Sequence, residues 1–371
     1  MGILDYEALL TDTEAPPTLW IEQPEKEEEE AASNPAHRPT RLADVVGQAN
    51  VRENLAIQVQ AAKARQAPLD HLLFYGPPGL GKTTLSLAIA SEMGVPIKVV
   101  TGPAIERAGD LAAMLAEIQA QQVLFIDEIH RLPRQVEEIL YPAMEDFALD
   151  LVIGKGANGA RTVRLDLPPF TVVGATTRLG MLSAPLQTRF GSLYRLDFYT
   201  ENELAQVISR VARHDDVLIE PDALRLLAGR ARGTPRVALR LYRRARDYAI
   251  AREDGVITEA AAQAALTLLE IDAAGLTAHD RAYLGILIHK FEGGPTGLKT
   301  LAAALGDSEE TLEDVVEPYL LRCGLIERTA RGRTATRHGY GHLGVAFPEE
   351  LADISTLIRR AERARPPDGV A

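Results

Sequence analysis

The octet Gly76-Pro77-Pro78-Gly79-Leu80-Gly81-Lys82-Thr83 constrains this chain more than any other stretch. It fits G-x-x-x-x-G-K-[ST], and it stands between an apolar run ending at Tyr75 and a helix-forming run opening at Thr84. That context dictates a strand, a tight loop and a helix in succession. The glycines let consecutive backbone N–H groups turn toward one centre, and the positive end of the following helix faces the same point. Such a cradle binds phosphate oxygens. Lys82 adds a point charge at the β- and γ-phosphates of a nucleotide, and the Thr83 hydroxyl is suited to ligate Mg2+.

Four short apolar runs read as buried parallel strands: His71–Tyr75, Ile97–Thr101, Val123–Asp127 and Phe170–Thr176. Strands of this kind are apolar on both faces because helices cover both sides of the sheet. Val123–Asp127 ends in an acid and is followed by a second, the Walker B pattern. Asp127 is expected to hold Mg2+, directly or through water. Glu128 is expected to act as general base on an attacking water. At the edge of the last run a threonine hydroxyl can orient that water; Thr177 is the preferred candidate, with Thr176 as the alternative.

The α/β pattern covers residues 37–198. Residues 199–270 change character, with four helical segments, Glu201–Arg213, Pro221–Arg230, Arg236–Arg252 and Glu259–Glu270, and no strand run. Residues 271–345 read as short helices followed by a small β-hairpin around Arg331-Gly332-Arg333, and 346–371 as a C-terminal tail. Net charge is −12, an odd balance for a DNA-binding chain. Residues 1–36, however, hold ten acids against Lys26 alone and read as a disordered acidic tail, so the remainder is nearly neutral. The single cysteine, Cys323, sits in an apolar run and reads as a small buried residue; it excludes a disulfide framework within the chain. No apolar stretch reaches the ~18–20 residues that span a bilayer. With no secretory signal visible, a cytoplasmic location is expected.

The order and spacing of these motifs resemble AAA+ ATPases. By that resemblance Thr177 falls at sensor 1. Arg189, in Pro185-Leu186-Gln187-Thr188-Arg189-Phe190-Gly191, falls where the class carries an arginine finger that reaches a neighbouring subunit's ATP. In comparable NTPases such a finger is worth about 10³–10⁵ in rate. Arg236, in Gly233-Thr234-Pro235-Arg236, fits sensor 2, which reports the γ-phosphate to the helical lid.

More specific strings resemble the RuvB family. They include Asp70–Tyr75, Ile126–Leu132, Glu138–Leu149, Ile153–Gly156, Leu165–Phe170, Gly174–Arg178, Arg232–Arg236, Gly293–Leu305, Thr311–Leu321 and Arg328–Arg333, and they span about residues 37–345. The resemblance implies a P-loop AAA+ domain, a helical lid and a winged-helix domain. It implies an ATP-driven DNA translocase, with Mg2+ as cofactor, that promotes Holliday-junction branch migration in recombination, DNA repair and the SOS response. A homohexameric ring on double-stranded DNA, a RuvA-like partner and room for a RuvC-like resolvase are implied as well. It assigns His37, Arg38, Gly79, Gly81, Thr84, Glu145, Asp146, Phe147 and Tyr199 to the nucleotide site. It gives Val152 and Ile153, in a hairpin over 150–165, to partner binding, and Arg328, Arg331 and Arg333 on the wing to DNA phosphates.

Departures from the family pattern occur at His37, Gln187, Thr188 and Glu309, and none removes a group needed for hydrolysis. A non-motor ATP switch, such as a loader or initiator, shares this core; the hairpin and the single winged helix favour a motor. A protein-remodelling chaperone is disfavoured because no aromatic pore-loop motif stands between the Walker sequences.

Overall fold

The computed structural model describes residues 37–153 and 161–348. The expected acidic tail at 1–36, the hairpin tip at 154–160 and all but the first residues of the C-terminal tail lie outside them. The chain divides into two compact units, residues 1–259 and 260–371.

In the first unit a helix, α1 (Ala49–Arg65), precedes β1 (Leu72–Tyr75). There follow α2 (Lys82–Met93), β2 (Ile97–Thr101), α3 (Ala108–Ala116), β3 (Val123–Asp127) and α4 (Arg134–Glu145). A hairpin of β4 (Ala148–Ile153) and β5 (Arg161–Asp166) interrupts the alternation before β6 (Thr171–Thr176), the short α5 (Ala184–Gln187) and β7 (Ser192–Arg195). Five strands pair in the order β2-β3-β6-β1-β7, all parallel. The three central strands are buried along nearly their whole length, as their unbroken apolar sequences require. The edge strands are not: β2 leaves Val99 52% exposed, and β7 alternates. That alternation hid β7 from a reading that sought continuous apolar runs.

The helical layer consists of α6 (Glu201–His214), α7 (Pro221–Gly229) and α8 (Pro235–Arg252). Thr200 and Glu203 form a reciprocal capping box at the start of α6, so the chain turns from strand to helix with its first N–H groups satisfied.

In the second unit, Tyr283, Leu287, Leu301, Leu320 and Ile326 pack one core. The helices of this unit are α9 (Glu259–Leu268, which begins at the unit boundary), α10 (Ala278–Gly285), α11 (Leu298–Leu305), α12 (Glu309–Thr311), α13 (Glu317–Arg322) and α14 (Arg337–His342). An antiparallel pair, β8 (Ile326–Thr329) and β9 (Gly332–Ala335), forms the wing, and Thr296 bridges to Arg333 on its free edge. Gly332 has φ +138°, and a Cβ there would lie 2.5 Å from the Thr296 carbonyl oxygen, so the strand next to Thr296 requires glycine. Cys323 is exposed at the end of α13, contrary to the expected burial: the helix turns its apolar side, with Leu320, inward and leaves Cys323 at its C-cap.

Candidate nucleotide site

Parallel pairing sets Tyr75 beside Thr176 and Ile126 beside Gly174, so the carboxyl ends of β3, β6 and β1 share one sheet edge. The phosphate loop leaves from the end of β1, at the edge where open α/β sheets bind ligands. Gly79 has φ +77°, and a Cβ on it would come within 2.9 Å of the Arg236 Cβ. The backbone N–H of Arg236 donates to the Gly79 carbonyl at 3.4 Å, which ties the start of α8 to the loop. Gly81, at φ +93°, caps α2 and releases the N–H groups of Lys82, Thr83 and Thr84 in its first turn.

Lys82 is buried, and its ammonium donates to the Gly76 and Pro77 carbonyls at 2.8 and 2.9 Å. Burial pushes this lysine down to about 8, against the opposing field of Asp127. The Thr83 hydroxyl stands 3.5 Å from Asp127 Oδ2. A hydroxyl and a carboxylate this close together are the hard oxygen donors Mg2+ takes, so the pair fits that ion in chemistry. Glu128 adopts φ +48°, which turns the chain sharply after β3, and its carboxylate meets Arg131 at 3.2 Å on the surface. Of the two threonines, Thr176 closes β6, is fully buried and has its hydroxyl 3.0 Å from His130 Nδ1. Thr177 follows it just past the strand and is half-buried.

Tyr199 links loop and lid. Its hydroxyl donates to the Leu80 carbonyl at 3.3 Å and its N–H to Gly233 at 2.9 Å; burial pushes its phenol up to about 12. His37 and Arg38 line a cavity of about 290 Å³ with Thr40, Arg210 and His214. His37 Nε2 lies 2.7 Å from Asp215, which anchors the segment to the end of α6. Three ligand-type atoms of His37, His214 and Asp215 lie within 4.8 Å of one another. Arg246 and Tyr242 already hold Asp215, at 3.1 and 2.9 Å, and the cations lining the cavity oppose another positive charge there.

Four of the expected nucleotide residues are not brought to this loop. Arg189 pairs with Glu145 at 3.1 Å; next to Glu145, Asp146 pairs with Arg164 at 2.7 Å, and Phe147 packs edge-on to His71 and Phe170. This group adjoins the start of β1: the N–H of Gly191 donates to His71 at 2.9 Å. The phosphate loop leaves from the other end of the same strand.

On the wing the three arginines part company. Arg328 and Arg333 both grip Glu317, which is fully buried: Arg328 Nη2 at 2.6 Å and Arg333 Nε at 2.8 Å. Arg333 is only 16% exposed. A buried carboxylate demands paired cations, and sequence proximity to the tip could not reveal that demand. The expectation of three phosphate-facing cations is corrected to this extent: Arg333 and most of Arg328 are committed inward, while Arg331 is exposed at the tip. Of the hairpin, the register opposes Val152 to Thr162 and Ile153 to Arg161.

A phosphate loop closed over by an arginine-bearing helical lid, on a 5-stranded sheet with an acidic central strand, defines an AAA+ P-loop ATPase. Profiles of three families resolve the class further. The profile described as the Holliday junction DNA helicase RuvB P-loop domain matches residues 37–196, the RuvB AAA lid domain 199–272 and the RuvB C-terminal winged helix domain 273–344. The chain belongs to the RuvB family. It is 56% identical over 312 residues to the Holliday junction branch migration complex subunit RuvB of Chloroflexus aurantiacus, covering 84% of this chain and 89% of that one. The Chloroflexus aggregans protein of the same name is 56% identical over 312 residues. The solved Thermotoga maritima RuvB Holliday junction branch migration motor superposes with TM-score 0.77 at 45% identity, over 84% of this chain and 100% of that one.

Proposed function

We propose that this chain is the ATP-driven motor of a Holliday-junction branch-migration complex, acting as a ring of identical subunits, by family inference a hexamer. Lys82 and the loop N–H groups would hold the β- and γ-phosphates, and Thr83 and Asp127 would hold Mg2+, which supplies charge neutralisation at the transferred phosphoryl group. Glu128 takes the proton from the attacking water, with Thr177, or Thr176 in its place, orienting it. Arg236 carries γ-phosphate occupancy to the lid through its tie to Gly79. His37, Arg38 and Tyr199 border the base.

The observation that carries the reading is the separation of Arg189 from Lys82 within one chain. They attach to opposite ends of β1, a strand of four residues that spans roughly 10 Å at about 3.3 Å per residue. A finger so placed serves a neighbour, together with Glu145, Asp146 and Phe147, and a site split between subunits calls for a closed ring. The hairpin, with Val152 and Ile153, is proposed to meet a RuvA-like protein. Arg331 is proposed to meet duplex phosphates, and a RuvC-like resolvase would act on the junction afterward. We place this action in the cytoplasm; among the described residues no helix is long and apolar enough to cross a membrane.

A mixing series tests the shared site. Arg189→Ala subunits doped into wild-type rings should depress ATP hydrolysis beyond their mole fraction, because each disables a neighbour. Loss strictly proportional to mole fraction contradicts a finger acting in trans.

A further inference from the structure

The ring of Tyr141 lies under the Arg189 guanidinium, 4.3 Å from its carbon to the ring centroid. Tyr141 is on α4, and its hydroxyl is fixed by a small hydrogen-bond network around Glu137. It donates to Glu137 at 3.0 Å and lies 3.2 Å from the Ser183 hydroxyl, which itself donates to Glu137 at 2.6 Å. Ser183 caps α5, the single turn that leads into Arg189. Glu137 is 6% exposed, so the network is anchored in the core and not on the surface. One carboxylate thus sets both the plane of the aromatic ring and the start of the loop whose arginine rests on that ring.

The other contacts of Arg189 are few. One Nη donates to the Pro185 carbonyl at 2.7 Å and the other to Glu145 at 3.1 Å. Its Nε is buried with no hydrogen-bond partner among the described residues. A guanidinium has five N–H donors, and a buried one left unmade calls for an explanation. Held over an aromatic face, the group is attracted by the ring quadrupole without spending donors.

We propose that Tyr141 is a positioning residue for the arginine finger: an aromatic platform, locked by Glu137 and Ser183, that preorients the Arg189 guanidinium for a neighbouring subunit's γ-phosphate. The inference rests on the reading of Arg189 as a finger. Preorientation lowers the reorganisation needed when charge develops in the transition state, so its loss falls on turnover and not on ATP binding.

The test is steady-state ATP hydrolysis by the full chain in the presence of junction DNA, with thermal melting of every variant. Tyr141→Phe keeps the platform and should retain kcat within about threefold. Tyr141→Leu removes it and should lower kcat by about tenfold, between the sizes of an exposed and a desolvated cation–π contact, with KM for ATP within about twofold. Tyr141→Met, unbranched and close in length, serves in the same role if the leucine variant melts early. Arg189→Ala and the double variant Arg189→Ala/Tyr141→Leu close the cycle. If Tyr141 acts through Arg189, the double variant is no slower than Arg189→Ala. An additive loss in the double variant, or wild-type kcat in Tyr141→Leu and Tyr141→Met beside an inactive Arg189→Ala, overturns the platform. Wild-type turnover by Arg189→Ala overturns the finger itself.

Discussion

Lys82 shows how one side chain carries both a structural demand and a chemical one. Its ammonium is buried, satisfied by two loop carbonyls and depressed to about 8 by the loss of solvent. Phosphates beside it favour the charged form, so ATP binding raises its pKa. Above about pH 8 the loop must therefore take up a proton when ATP binds, and affinity should fall as pH rises from there, by at most about tenfold per unit. Near pH 7 the lysine is mostly charged in both states and uptake should fall to about a tenth of a proton. Calorimetry in buffers of different ionisation enthalpy, at pH 7 and pH 9, measures the proton count directly. Equal uptake at both values would place the depressed group elsewhere. For folding the sign is opposite in form. The unfolded lysine holds its proton to about pH 10, so between about 8 and 10 the unfolded state binds more protons and this residue's penalty on stability is relieved as pH rises.

At the level of elements, the wing divides its arginines between holding the domain together and facing solvent. Glu317 is fully buried between Arg328, Arg333 and the Tyr283 hydroxyl, which donates to it at 2.8 Å. Removing Arg333 takes from the buried Glu317 its less exposed cation while Arg328 and Tyr283 remain on it, so Arg333→Ala should destabilise the chain by about 1–3 kcal/mol in urea unfolding. Arg331→Ala should leave stability unchanged and reduce the slope of log K against log salt on duplex DNA by about 0.9. A flattened slope in Arg333→Ala with no loss of stability would reverse the assignment. The phosphate loop was legible in the sequence because its chemistry is local: eight consecutive residues fix strand, turn and helix. The partner of Arg333 lies 16 residues away at the start of helix α13, and the bond between them depends on burial that no local pattern announces. The same holds for Tyr141 and Ser183, 42 residues apart, and for β7, whose half-exposed sequence lacks the apolar run of a central strand.

Across the whole chain, three consecutive regions match the three RuvB profiles; the class was legible in generic ATPase motifs, and the family in strings that a generic ATPase lacks. What distinguishes a motor from an ATP-operated switch is whether movement requires turnover. Glu128→Gln separates the two, since it keeps size and hydrogen bonding and removes the proposed base. The measurement is migration of a labelled four-way junction by the purified chain with a RuvA-like partner and ATP, compared between wild type and Glu128→Gln, with ATP binding measured in parallel. The account predicts that Glu128→Gln binds ATP as tightly as wild type and moves the junction not at all. Junction movement at the wild-type rate by Glu128→Gln, or by wild type with a non-hydrolysable ATP analogue, would contradict it.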